Sequence, residues 1–462
     1  MGRLIRFPQP PPEAEGRPPT RGVVRDLKLA TLPAAYAGRQ VAGMGRRMRG
    51  QSRAQVQADI QARTAQHLFE VLGELKGCAA KVGQLMSIYR MTLPRDLAEP
   101  FGEALSTLQY AAPPMLPGLV HEVMRAQLGT GWRDLFLEFD DQRAASASLG
   151  QVHHAVWRDG RPVAVKVMYP GSREAARSDL RRLQWMTGLI GAFMPGADVG
   201  AVIAAVCDCV DDELDFAREA RHQRILAEAF ADDPDFVLPG VVEQTEDVLI
   251  TEWLDGVPLT RIIAGEVRHQ DRNQLGLKVI RFLMLAKART GLLYSDPHPG
   301  NFLRMPDGRL GVVDFGACGP VPSNLPAVEF DIGEALYHGG PAELEIALRT
   351  HGFVQPGNEL DIDELTDIVF PFVKVLHQPD YQLTDDWLRR QVRVITELRL
   401  SNVFRQMTLP PELVTVARAS LTAFGMLCQL GTEGPIRAEL LLGSPALDDV
   451  LRRYDEAVRS AL

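Results

Sequence analysis

The chain reads as an α+β fold in two lobes, and three features point there. Gly150–Val156 and Arg161–Met168 alternate apolar and other residues around Asp159-Gly160, the signature of two strands joined by a tight turn. Leu310, Val312 and Val313 form a short apolar strand pattern just before Asp314, after a loop rich in proline and glycine between Asp296 and Asn301. From about residue 322 onward apolar residues return at spacings of three and four, as in Leu365, Ile368, Val369 and Phe372 and again in Leu413, Val416, Ala417 and Leu421. That is the spacing of amphipathic helices. A chain of 462 residues, 46% hydrophobic and 24% charged, can bury a two-lobed core and one further helical unit.

In chain order, residues 1–24 are rich in proline, arginine and glycine and are expected to form a disordered tail. No apolar core follows their charges, so they do not read as a signal peptide; Glu13, Glu15 and Asp26 argue against a mitochondrial presequence, and position six lacks the serine or threonine of a myristoylation signal. Residues 25–125 read as a helical extension. Its arginines from Arg39 to Arg63 suit either an anionic lipid surface or a solvated helix face. Within it Leu75, Val82 and Leu85 recur at helical spacing, Lys81 and Gln84 stand three apart on neighbouring faces, and Gly83 admits a close backbone. Residues 126–255 form the smaller lobe, with a helical insertion over Ser172–Val210, and 256–462 the larger, with Pro371 expected to kink a helix.

Composition narrows the partners. A net charge of −9 and no basic cluster interleaved with aromatics argue against nucleic acid. Five cysteines, with no histidine near Cys207-x-Cys209, read as reduced thiols rather than a zinc site. The apolar window Leu189–Val206 is broken by Pro195-Gly196 and Asp198, and the C-terminal Leu451–Leu462 is amphipathic and charged. A cytoplasmic chain with at most peripheral membrane contact is expected.

The chemistry concentrates between Tyr294 and Gly316. Asp296 and Asn301 are five apart (301 − 296), the step of a kinase catalytic loop, and Asp314-Phe315-Gly316 supplies the metal-binding turn. Phosphoryl transfer needs one carboxylate to orient the nucleophile, and a second carboxylate with an amide oxygen to hold magnesium against the phosphates. Asp296 takes the first role, Asn301 and Asp314 the second. ATP and magnesium are the implied ligands. Lys166, on the second hairpin strand, is the candidate for the α/β-phosphates, in a chain with only seven lysines. Its glutamate partner should come from the acidic segment Cys209–Arg221, with Glu213 the first choice and Glu219 the second. Val248–Gly256 reads as a strand entering a hinge, where the backbone at Glu252 and Leu254 would meet adenine. No G-x-G-x-x-G precedes Lys166 and no Walker loop occurs. Ala145, Ser146, Ala147 and Ser148 stand in that place, and alanine restricts the backbone where glycine would not.

Together these residues resemble the UbiB/AarF/ADCK family of atypical kinase-like proteins, from about residue 25 onward. Lys81, Gly83 and Gln84 match its K-x-G-Q motif, and Ala145–His153 matches its alanine-rich loop. Lys166, Glu213, Asp296, Asn301 and Asp314 fall on its nucleotide and metal positions. The resemblance implies a two-lobed protein kinase-like fold whose K-x-G-Q helix covers the cleft and suppresses protein phosphorylation. ATP hydrolysis or phosphorylation of a small or lipid-like molecule would remain, in support of isoprenoid quinone or related lipid metabolism. It implies isoprenoid or quinone precursors and an anionic membrane surface as partners, and allows a homodimer. Two departures stand out: Tyr294-Ser295-Asp296 replaces the family's H-A-D, and Ser146 is central in the alanine triplet. Two alternatives stay open, a small-molecule kinase of the aminoglycoside or choline type and an ATP-sensing scaffold without turnover.

Overall fold

A computed structural model describes residues 115–461 apart from 148, 179, 213, 266–268, 397–405 and most of 182–210. The helix carrying Lys81, Gly83 and Gln84, and the greater part of the expected insertion, lie outside the described residues. Helix α1 (Pro117–Leu128) opens the described chain, with proline in its first turn where a missing N–H costs nothing. Strands β1 (Phe136–Ala147), β2 (Gly150–Trp157) and β3 (Pro162–Met168) follow, then α2 (Phe216–Ala229), β4 (Phe236–Val237), β5 (Val241–Gln244) and β6 (Val248–Glu252). Five of these strands form an antiparallel sheet in the order β1-β2-β3-β6-β5.

The alternation read in the sequence decides what each face of this sheet touches. Val163, Val165 and Val167 of β3 are fully buried with Val248 and Ile250 of β6 against Val120 and Met124 of α1. Met168 and Leu249 point the other way and pack on Phe216 and Ala220 of α2. Gly150 is required by a close approach: a Cβ there would stand 2.2 Å from the Val167 carbonyl oxygen. Helix α2 is capped by Asp215, whose carboxylate accepts from the Arg218 N–H. Its first half packs in the smaller lobe, while Leu226 and Phe230 pack in the core of the larger. The helix therefore fixes its own residues with respect to both lobes.

The larger lobe begins with β7 (Val257–Pro258), α3 (Leu259–Ala264) and α4 (His269–Thr290). Strands β8 (Leu292–Tyr294), β9 (Phe302–Arg304), β10 (Leu310–Val312) and β11 (Cys318–Pro320) follow. The sheet order β4-β10-β9-β7 and the pair β11-β8 frame the segment from Tyr294 to Cys318. Beneath them Phe230, Phe236, Phe282, Tyr294, Phe302 and Phe315 form a chain of ring contacts, with Phe230 to Phe236 at 5.4 Å and Tyr294 to Phe315 at 6.0 Å.

The remainder is helical, as its periodicity predicts: α5 (Leu325–Tyr337), α6 (Pro341–Thr350), α7 (Ile362–His377), α8 (Asp385–Thr396), α9 (Val414–Leu430), α10 (Ile436–Leu441) and α11 (Pro445–Ala461), with a small β12 (Tyr381–Gln382) and β13 (Glu433–Gly434) pair. Helix α7 runs through Pro371. Among the described residues Pro411–Leu430 is long and apolar enough to cross a membrane, a segment the sequence reading did not single out. Here Met426, Leu427 and Leu430 of α9 join the main core.

Candidate active site

The site is assembled on β3, α2 and the two turns that end β8 and β10. Lys166 lies mid-strand on β3, on the face turned toward α2. Its Nζ donates to both carboxylate oxygens of Glu219, at 2.8 and 3.0 Å, and stands 3.6 Å from Asp314 Oδ1. It also sits 5.3 Å from the centre of the Phe216 ring. Glu219 is 2% exposed, so its charge is balanced inside the protein, whereas the Asp314 side chain is 41% exposed. The carboxylate brought to Lys166 is thus that of Glu219. Glu213, the first choice from sequence, lies outside the described residues and ahead of α2, which starts at Phe216. Glu219 is one turn into the helix and shares its buried face with Phe216, Ala220 and Gln223.

Asp314 is the one described non-glycine residue with a left-handed backbone, at φ +64°. Aspartate tolerates this region better than most residues, but it still costs about 1 kcal/mol or more. The turn is held by its own surroundings: Asp314 Oδ1 accepts from the Gly316 N–H, and the Val313 N–H donates to the Asn301 carbonyl at 2.9 Å. The loop from Asp296 to Asn301 is closed on itself. The Asp296 carbonyl accepts from the His298 N–H at 2.7 Å and from Asn301 Nδ2 at 3.1 Å, while His298 Nδ1 caps the Gly300 N–H at 3.1 Å. Asn301 therefore has its amide nitrogen spent on the loop, and its amide oxygen is the atom suited to a metal.

Tyr294 is one of the two departures from the family pattern, and the phenol braces the same two turns. It donates to the Val313 carbonyl at 2.8 Å from a buried position beside Asp314, Asp296 and Asn301. Burial, with the Asp314 carboxylate next in weight, holds its pKa well above the usual 10. Two other contributions were not legible in sequence. Arg218 of α2 is held by Asp212 and reaches the Cys318 carbonyl, tying the helix to the segment after Asp314. Cys318 itself is buried, and burial, then the Asp314 and Glu219 charges, push its thiol pKa well up.

The alanine-rich segment ends β1. Ala145 pairs with Val152 and Val152 with Lys166, so all three lie on one rung of the sheet. Ala145 is exposed, Ser146 and Ala147 continue the strand opposite Gln151 and Gly150, and Ser148 lies outside the described residues. Glu252 ends β6 opposite Val163, with its carboxylate accepting from the Gly240 N–H at 2.9 Å and from Arg161 at 3.2 Å. Leu254 lies in the short link to β7, with its side chain against Gly311. The segment thus joins the two lobes, as a hinge would.

The oxygen donors Asp314 and Asn301 suit magnesium, which takes one or two protein oxygens and completes its shell with phosphates and water. Among the described residues no group of three or more His, Cys, Asp or Glu side chains is arranged to hold a metal by itself.

The model of the ABC1 atypical kinase-like domain matches residues 107–328, which include Lys166, Glu219, Asp296, Asn301 and Asp314. The Mycobacterium tuberculosis protein Rv3197, solved as a complex with erythromycin, is 38% identical with a TM-score of 0.60, covering 84% of this chain and 98% of that one. The chain carries an ABC1 atypical kinase-like domain. Its relatives include the atypical kinase coq-8, mitochondrial, of Caenorhabditis elegans, 30% identical over 298 residues, 63% of this chain and 39% of that protein. The probable protein kinase UbiB of Marinobacter nauticus is 30% identical over 257 residues, 54% of this chain and 46% of that protein. The chain spans about two fifths to a half of the length of these curated relatives. The match to this domain agrees with the two-lobed α+β fold described above.

Proposed function

We propose that this chain is an atypical kinase or ATPase that binds magnesium–ATP between its lobes. The observation that carries the reading is Lys166 held by Glu219 at 2.8 Å with Asp314 3.6 Å away. A lysine fixed by a buried carboxylate can meet the α/β-phosphates, and an exposed second carboxylate beside it can hold the metal that neutralises them. Asp296, at the start of the closed loop, would orient the attacking hydroxyl or water. Glu252 and Leu254 would lie along adenine, and the strand from Ala145 to Ala147, with Ser148 after it, along the phosphates.

By family kinship the activity would support isoprenoid quinone synthesis of the ubiquinone type, or related lipid metabolism, at an anionic membrane surface. Lys81, Gly83 and Gln84 would keep protein substrates from the cleft. The test is phosphate release from ATP by the full chain, with and without anionic liposomes and with Asp314→Asn as the blank. Release that rises with liposomes and is lost in the variant supports the reading. Release equal in both proteins contradicts it.

A second reading, a small-molecule phosphotransferase, is favoured by the loop Asp296-Pro-His-Pro-Gly-Asn301 and by the erythromycin in the Rv3197 complex. Erythromycin and aminoglycosides added to the same assay separate the two: stoichiometric phosphorylation of one of them would select this reading.

A further inference from the structure

Gln151 and His153 lie two apart on β2 and are 1% and 0% exposed, so their polar atoms need partners inside the protein. The direction of each bond follows. The Met115 backbone N–H can only donate, and Gln151 Oε1 accepts it at 2.9 Å. Gln151 Nε2 is left to donate, and His153 Nε2, at 2.8 Å, accepts. A ring nitrogen that accepts carries no proton, so the proton is on His153 Nδ1, which donates to the Asp140 carbonyl at 2.8 Å. Three bonds thus run in one direction from Met115, just ahead of α1, to Asp140 in β1.

Asp140 lies in a bulge. Strand β1 pairs Phe139 with Ala155 and Arg143 with His153, so residues 140–142 stand opposite His154 alone. The bulge is held again from α1, where His121 Nε2 meets Asp141 Oδ1 at 2.6 Å, and the Phe139 ring stacks on His153 at 5.3 Å. Beyond it β1 continues to Ala145, on the rung of Lys166, and on into the alanine-rich segment. We propose that Gln151 and His153 are positioning residues for the phosphates of ATP: their hydrogen-bond chain sets the β1 bulge against Met115 and α1, and so sets the alanine-rich segment over Lys166. The inference rests on the nucleotide reading above and adds to it a mechanical link from the residues preceding α1 to the phosphate end of the cleft.

The experiment uses the full chain with Gln151→Met, which keeps the volume and removes both polar groups, and Gln151→Glu. Two readouts are taken, amide hydrogen exchange over residues 139–150 without nucleotide, and affinities for ATP and adenosine. Gln151→Met is expected to speed exchange in that segment and to weaken ATP roughly tenfold while adenosine changes by less than about twofold. In Gln151→Glu a carboxylate can accept from Met115 and from His153 only when Nε2 is protonated. With Asp140 and Asp141 of β1 and His121 of α1 as the other charged or titratable groups around the ring, ATP affinity should approach that of the wild type as pH falls and weaken as it rises. Unchanged exchange in Gln151→Met, or equal losses of ATP and adenosine, overturns the proposal. Faster exchange in a protein whose wild type binds no ATP overturns the nucleotide reading and leaves the mechanical link standing.

Discussion

The phenol of Tyr294 donates to the backbone carbonyl of Val313 across 2.8 Å, joining the strand before the catalytic loop to the residue before Asp314. One buried bond therefore fixes the spacing of the two turns proposed to hold one metal between them. Tyr294→Phe removes the donor and leaves a buried carbonyl short of a partner, a loss of about 1 to 3 kcal/mol. Chemical denaturation should report that loss, and magnesium-dependent ATP binding should weaken with it. A variant as stable as the wild type would mean that the carbonyl finds another donor.

The pair Lys166–Glu219 gives a second prediction. Lys166→Met takes the lysine away from a carboxylate that is 2% exposed, and losing one partner of a largely buried pair costs up to about 3 to 5 kcal/mol. Adding Glu219→Gln should restore part of the stability without restoring nucleotide binding. Glu213→Gln should leave both unchanged. The three variants compared in one denaturation series decide which glutamate serves Lys166.

Asp314 combines its proposed metal role with backbone strain. Asp314→Ala and Asp314→Gly both remove the carboxylate, yet only glycine accepts φ +64° without a clash. The glycine variant should be the more stable of the two by about 1 kcal/mol, with neither showing magnesium-dependent binding. Equal stabilities would mean that the turn relaxes once the side chain is gone.

Acid should destabilise the fold through buried and partly buried histidines. Burial lowers the pKa of His153, His222 and His377 from the ordinary 6.5. Above that value both folded and unfolded chains hold them neutral. Below it the unfolded chain takes up protons first, so stability is lost as pH falls from 6.5 toward the depressed folded values. Unfolding free energies measured at about pH 7.5 and about pH 5.5 should show the drop, and His153→Phe should show a smaller one.

Much of this was legible in the chain itself. Alternation around Lys166 and the helical periodicity after residue 322 report burial directly, and burial shaped those elements. The order of Asp296, Asn301 and Asp314 is local, so spacing alone carried it. Glu219 was harder to select, because an acidic segment offers several carboxylates and only the start of α2, set by the Asp215 cap, decides which one faces the sheet. The parts played by Tyr294, Arg218, Gln151 and His153 rest on partners 19, 100, 36 and 13 residues away, beyond the reach of any local pattern.

Magnesium-dependent ATP binding by the full chain, measured by titration calorimetry for wild type and Asp314→Asn, tests the cleft most directly. Wild-type binding that tightens with magnesium, and a variant in which magnesium no longer matters, is the expected result. Binding of equal strength in both proteins, or none in the wild type, would contradict the assignment of this cleft to a nucleotide and its metal.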